Sequence, residues 1–231
     1  MDQTKIWDYF QNSSEQDVFG GAAPRYRFLA SRVDSKSSAL NIGVGRGGLE
    51  LILHKKGVAV SALDPSERSI NGLKALIPIA ERARVGFSQS IPFEDESFDF
   101  VVMSEVLEHL SDDVLVKSLK EINRVLKKGG KFIGTVPANE TLSGQQVACP
   151  KCGEVFHQWG HVQSFNQYSL QNLLSSAGGL VVVKLECRTF PDWQRPGLVN
   201  LSKSVVRYFL GRMGDKLAMP SFYFECGKSS H

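Results

Sequence analysis

The sequence predicts one α/β domain built around a strand, a tight turn and a helix, and three observations predict it. The short apolar run Ala39, Leu40 and Ile42 breaks into Gly43, Gly45, Gly47 and Gly48, which lead straight into the helical pattern Leu49, Leu51, Ile52, Leu53. A second apolar run, Val58 to Leu63, ends on the carboxylate of Asp64. Strand-like runs then alternate with helical patterns as far as Cys226. Glycines at such a turn let a ligand lie on the main chain, where a helix N-terminus offers unpaired N–H groups, so a nucleotide-like cofactor suits the place.

A chain of 231 residues fits one such domain with one or two insertions. The formal charge of +3 is spread along the chain rather than blocked, which argues against nucleic acid as the main partner. No apolar run approaches the roughly 20 residues of a membrane span, the N-terminus carries no export pattern, and a cytoplasmic protein is expected. Four cysteines, two of them in a C-x-x-C, suit metal binding better than a disulfide framework.

Taken in order, residues 1–34 read as a helical cap, with Trp7, Tyr9, Phe10, Phe19, Tyr26 and Phe28 and a break at Gly20-Gly21 before Pro24. Such a cap covers a sheet edge or serves as a lid over the cofactor. Gly43, Gly45 and Gly48 match the dinucleotide spacing, while Gly43, Gly45 and Gly47 match the spacing of S-adenosylmethionine (SAM) sites, so the turn alone leaves the cofactor open. Asp64 at the tip of the second strand can accept both hydroxyls of a cofactor ribose, or cap the helix that begins at Pro65, or do both.

A third strand is expected at Arg84–Ser88 and a fourth at Phe98–Ser104, with Ser104 and Glu105 at the same sheet edge as Gly43 and Asp64. Leu115, Leu119, Ile122 and Leu126 predict a helix over Asp112–Lys128, with Ser111 as N-cap and Gly129-Gly130 as its stop. Lys131–Pro137 reads as strand five.

The ordered set of glycine turn, Asp64, Ile91-Pro92-Phe93 with Glu94 to Asp99, Ser104-Glu105-Val106-Leu107-Glu108-His109-Leu110 and Arg124 to Gly130 resembles the class I SAM-dependent methyltransferases. It is most similar to the branch that includes ubiquinone and menaquinone biosynthesis methyltransferases, and the likeness covers roughly residues 38–190. The resemblance implies a Rossmann-like, seven-stranded, mostly parallel sheet with helices on both faces and one antiparallel strand. It implies Gly43 and Gly45 under the methionine and ribose, Asp64 with Pro65 at the ribose, Ser88 and Gln89 beside the adenine, and Ser104 and Glu105 near the methionine end. Two positions depart from it: Asn41 and Phe87 stand where relatives often carry acidic residues.

Residues 138–165 form an insertion after strand five. Cys149, Cys152, His157 and His161 follow the spacing C-x2-C-x4-H-x3-H, which supplies the ligands of a closed tetrahedral zinc site. In related methyltransferases a histidine placed like His161 faces the substrate, so His161 is either a zinc ligand or a base, and His109 is the other candidate base. A helix with Leu170, Leu173 and Leu174 ends at Gly178-Gly179, and Leu180–Glu186 and Ser221–Cys226 read as strands six and seven, with Cys187 and Cys226 as core packing. Between them, in a second insertion over 190–220, Leu201, Val205, Phe209 and Met213 mark an amphipathic helix over Leu198–Leu217, either packed on the surface or lying on a membrane.

The expected function is SAM-dependent methylation of oxygen or carbon on a small-molecule, lipid-linked or glycan acceptor. The competing readings are an NAD-dependent oxidoreductase using Gly43, Gly45, Gly48 and Asp64, and a binding module in which a zinc knuckle presents Trp159 to a partner.

Overall fold

The structure is a computed structural model that describes residues 6, 20–176, 179–194, 197–212 and 218–228. Most of the expected cap at 1–34, together with Gly178 and Met213 to Leu217, lies outside them.

The described strands are β1 (Ser38–Ile42), β2 (Ala59–Asp64), β3 (Ala83–Val85), β4 (Phe98–Ser104), β5 (Leu126–Pro137), β6 (Gln146–Ala148), β7 (Val155–His157), β8 (Leu180–Arg188) and β9 (Ser221–Lys228). The helices are α1 (Ala23–Arg32), α2 (Gly48–Lys55), α3 (Glu67–Leu76), α4 (Asp112–Val125), α5 (Gln167–Ser176) and α6 (Leu198–Arg212). Seven strands form one sheet in the order β3-β2-β1-β4-β5-β9-β8, in which β9 runs antiparallel to both neighbours, and β6 and β7 form a separate ribbon. This is the Rossmann-like sheet that the sequence predicts.

Burial on both faces explains why the central strands read as nearly unbroken apolar runs. Leu40, Ile42, Val101, Met103 and Phe132 pack with Leu115, Leu119 and Ile122 of α4 and with Leu170 and Leu174 of α5. Their sequence neighbours Ala39, Phe100, Val102 and Ile133 point the other way, onto Leu29 of α1 and Leu49 and Leu53 of α2. Ile70 and Leu73 of α3 join Val44 and Ala62 in a third cluster.

Some elements differ from expectation for local reasons. Strand β3 stops at Val85 because the Gly86 N–H turns to the Asp64 carbonyl and Phe87 and Ser90 close a tight turn. Helix α4 ends at Val125 because Leu126 already pairs with Phe98; the Gly129-Gly130 pair then forms an irregularity inside β5 before Lys131 pairs with Phe100. Cys226 is buried as expected, whereas Cys187 is exposed on β8 at the sheet edge and is not core packing. On α6, Ser204 is buried while Leu201, Val205 and Phe209 are exposed. No described helix is long and apolar enough to cross a membrane.

One side chain connects two of the sequence motifs. Arg124 donates to the carbonyls of Ile91 (2.8 Å) and Phe93 (2.9 Å) and forks onto Glu121, whose other role is to accept the Ile91 N–H at 2.8 Å. Its planar array of donors fits two carbonyls and a carboxylate at once, which an ammonium does not. Arg124→Lys is therefore expected to lower unfolding free energy by about 2 kcal/mol in urea denaturation, despite the retained charge; an unchanged midpoint would show that the fork contributes nothing.

Candidate active site

The chain runs from β1 outward to β2 and β3, then returns to lay β4 on the other side of β1, so a crevice opens at the carboxyl ends of β1 and β4. Gly43 follows β1 there with φ +89, and its N–H donates to the Leu63 carbonyl at 2.9 Å. A Cβ at Gly43 would sit 2.6 Å from the Val106 methyl, so only glycine lets the turn after β4 close over the turn after β1. Gly45 also has positive φ, at +55.

Asp64 ends β2 at 1% exposure, with Oδ2 accepting the Val44 N–H and Oδ1 the Ser66 N–H, each at 2.8 Å. It therefore braces the glycine turn and reaches the residue that caps α3, since Ser66 is that N-cap and takes the Ser69 N–H on its own hydroxyl. Pro65 lies between these two anchors. The Ser88 hydroxyl is buried against the Ser118 hydroxyl of α4 at 2.7 Å, while Gln89 beside it is half-buried and Phe87 is exposed.

At the end of β4 the Ser104 hydroxyl receives Arg25 Nε of α1 at 2.9 Å and lies 3.2 Å from Thr135 Oγ1. Glu105 stands in a left-handed conformation, φ +55, with its N–H on the Thr135 carbonyl, one carboxylate oxygen 4.0 Å from Arg25 and the other buried without a hydrogen-bond partner. Arg25 and Tyr26 thus bring α1 onto the crevice. Aromatic residues in the first 34 positions hinted at a cover, but nothing in the sequence singled out Arg25.

The insertion supplies the rest. His161 places Nδ1 2.5 Å from Glu140 Oε2, and His157 places Nε2 3.5 Å from Glu140 Oε1. The Nδ1 of His157 accepts the N–H groups of Trp159 (3.4 Å) and His161 (3.2 Å), so its ring hydrogen sits on Nε2, facing the carboxylate. A carboxylate against His161 Nδ1 likewise fixes a hydrogen there and presents Nε2 as the acceptor, the arrangement of an oriented base. The His161 ring is 4.6 Å from that of His109, whose Nδ1 bonds the Gly160 carbonyl at 3.2 Å. Burial, with the neighbouring His161 and His157, holds His109 well below the ordinary histidine value, and it is neutral. Glu108 is the converse. Its carboxyl is buried without a hydrogen-bond partner among the described residues, and burial together with Glu105 raises it well above the carboxylate range, so it is a neutral acid.

The four residues expected to hold zinc are not brought together. Cys149 and Cys152 lie at the tip of the β6–β7 ribbon, whereas His157 pairs with Gln146 at its other end. The groups close enough to share an ion among the described residues are Glu140, His157 and His161, and Glu108, His109 and His161, with no cysteine in either. The even sequence spacing hides this separation because the ribbon reverses the chain between the second cysteine and the first histidine.

Residues 40–134 match the family described as methyltransferase domain. The chain is 30% identical over 125 residues to an uncharacterized methyltransferase of Staphylococcus carnosus, covering 53% of this chain and 57% of that protein. It is 28% identical over 159 residues to the sarcosine/dimethylglycine N-methyltransferase of Halorhodospira halochloris, covering 64% and 55%. The chain thus spans little more than half the length of these relatives. In fold it is similar to a chain of the complex between the Trm112 methyltransferase activator of Haloferax volcanii and a methyltransferase, with TM-score 0.70, 19% identity and 98% of each chain covered. It is also similar to the 1,6-didemethyltoxoflavin-N1-methyltransferase of Burkholderia thailandensis, whose structure holds S-adenosylhomocysteine, with TM-score 0.68, 18% identity and coverage of 98% and 87%.

Asn41 stands where the resemblance implies an acidic residue, and it takes a different role. Its Nδ2 donates to the Gly43 carbonyl at 3.1 Å and to Glu50 Oε1 at 2.7 Å, behind the glycine turn. Burial raises Glu50 to about 7; the Asn41 bond opposes the rise and the charge of Asp64 adds to it. The folded state therefore holds a proton that the unfolded chain releases above its ordinary value of 4.5. The associated stability is complete below that value and lost as pH rises through 7, a change on the order of 3 kcal/mol. Glu50→Gln keeps the oxygen facing Asn41 and cannot ionise. Its melting temperature should match the parent at pH 5 and exceed it at pH 8; coincident curves at pH 8 would overturn this assignment.

Proposed function

We propose that the protein is a SAM-dependent methyltransferase that transfers the methyl group to an oxygen, or to the carbon of an enol-like acceptor, on a small-molecule, lipid-linked or glycan substrate. The observation that carries this reading is the Glu140–His161 pair, an oriented base joined through His109 and Glu108 to the turn that follows β4.

Bound SAM would supply a methyl group already activated on a sulfonium. The residues present fit that cofactor. Gly43 leaves its backbone bare at the turn, and Asp64 ends β2 with acceptor-only oxygens suited to two ribose hydroxyls. The partnerless oxygen of Glu105 gives the crevice negative character suited to a cationic methionine end. Gln89, rather than the Ser88 hydroxyl, is the side chain beside the adenine position, because the latter is engaged with Ser118.

The remaining task is proton removal. With the donor's carbon–sulfur bond breaking as the acceptor oxygen is methylated, His161 Nε2 would take the acceptor's proton, and Glu140 would stabilise the imidazolium through Nδ1. His109, held neutral, packs edge-on against that ring and restricts its orientation.

The acceptor class is tested by transfer of labelled methyl from SAM into extract fractions separated as glycans, lipids, small molecules and RNA. Asp64→Asn should weaken S-adenosylhomocysteine binding about 100-fold by calorimetry through loss of charge-assisted hydrogen bonds, and lower the melting temperature as well, because one of the two backbone N–H groups loses its acceptor; tight binding of NAD by the parent chain instead would support the oxidoreductase reading. Once an acceptor is found, His161→Ala should lower kcat by about 100-fold or more with cofactor binding intact. Glu140→Gln, acting through His161, should lower kcat about tenfold with KM unchanged, and Glu140→Asp should restore part of it. Full activity in His161→Ala would leave positioning alone as the catalytic device.

A further inference from the structure

The two cysteines of the insertion are left as a pair by the arrangement just described. Cys149 and Cys152 sit in the turn at the tip of the β6–β7 ribbon, Cys152 exposed and Cys149 half-buried. The turn is held by the Gly153 N–H on the Cys149 carbonyl and the Cys149 N–H on the Glu154 carbonyl, both at 2.8 Å, with Gly153 at φ +75. Cys149 and Cys152 are thereby held in one tight turn, three positions apart. Two cysteines three positions apart in a turn at a ribbon tip, one of them exposed, suit ligation of a metal by thiolates better than packing.

Among the described residues, no third metal-ligating side chain stands with this pair. The histidines that the spacing supplied are engaged elsewhere: His157 accepts backbone N–H groups on one nitrogen and faces Glu140 with the other, and His161 is bonded to Glu140. Neither group of metal-ligating side chains among the described residues includes a cysteine. A tetrahedral zinc ion on two thiolates has two open positions, and a closed structural site needs two more ligands.

We infer that Cys149 and Cys152 are one half of a four-thiolate zinc site, completed by the same two cysteines of a second copy of this chain. A two-fold axis through the ion would place the same patch on both sides, and the patch is self-complementary. Lys151 and Glu154 are both exposed beside the sulfurs, so the axis can set each cation opposite the other copy's anion. Val155 is exposed on the ribbon next to the tip, giving apolar area for a second ribbon to cover. The exposed Lys151 ammonium beside the sulfurs offsets part of the charge that four thiolates carry in excess of one divalent ion.

The test is zinc titration of the reduced, metal-stripped full chain, reading bound zinc per chain and molar mass by light scattering together. Half an equivalent of zinc per chain, with mass rising from one chain to two and falling again on chelation, is the expected result. Cys149→Ser and Cys152→Ser, both at surface positions, should each abolish zinc uptake and the mass change, while His157→Gln leaves both intact. Cobalt in place of zinc should show tetrahedral ligand-field bands with sulfur-to-metal charge transfer at the same half stoichiometry. One zinc per chain at constant mass, or uptake lost in His157→Gln, would overturn the bridge in favour of a site closed within one chain. A mass independent of zinc, or no zinc retained at micromolar concentration, would also overturn it.

Discussion

A single buried carboxylate holds the cofactor edge of this protein together. Asp64 collects the N–H of Val44 from the glycine turn and that of Ser66 from the start of α3, so the ends of β1 and β2 and the entry to a helix share one anchor. A buried carboxylate is costly unless its oxygens are satisfied, and here backbone donors do so at fixed positions. The brace and the proposed ribose contact are compatible, because a carboxylate offers about four acceptor positions. Of the two roles the sequence left open for Asp64, the helix cap itself falls to Ser66, which Asp64 holds in place, and the ribose contact is the proposed one.

The elements read correctly from the sequence are those whose signals are local. Apolar runs with glycine or acidic ends gave β1, β2 and β4, and spacing of Leu115, Leu119 and Ile122 gave α4. The ordered motifs also proved to be physically joined, since Arg124 from one of them holds the Ile91–Phe93 segment from another. The boundaries that moved did so where a long-range pairing overrides local preference, as Leu126 leaves the helix to pair with Phe98. Glu140 escaped notice because nothing in its neighbourhood marks it; its meaning comes from a histidine 21 residues further on. The Cys/His spacing misled for the same reason in reverse, as strands of three residues are too short to announce a ribbon that separates their ends.

Electrostatically, burial governs Glu108 and His109, next to the paired Glu140 and His161. Glu108 is pushed up and His109 pushed down, so both are neutral in contact, and Glu50 behind the glycine turn titrates near 7. Such groups sense one another's protons, and an incoming cation or a departing proton is felt across the cluster. The exposed face of α6 stands apart from this network, its apolar residues turned to solvent and Ser204 turned in.

The placement of β9 has a consequence for the order in which the chain can assemble. β8 is made before β9, yet in the sheet it lies beyond it and touches β5 only through it. Until Ser221–Lys228 is synthesised, β8 has no strand to pair with and β5 presents an open edge. During translation the first five strands can form a parallel half-sheet, but its closure waits for a strand inserted between two waiting neighbours. A chaperone that shields the β5 edge over that interval would act on the most aggregation-exposed stage in this protein's life.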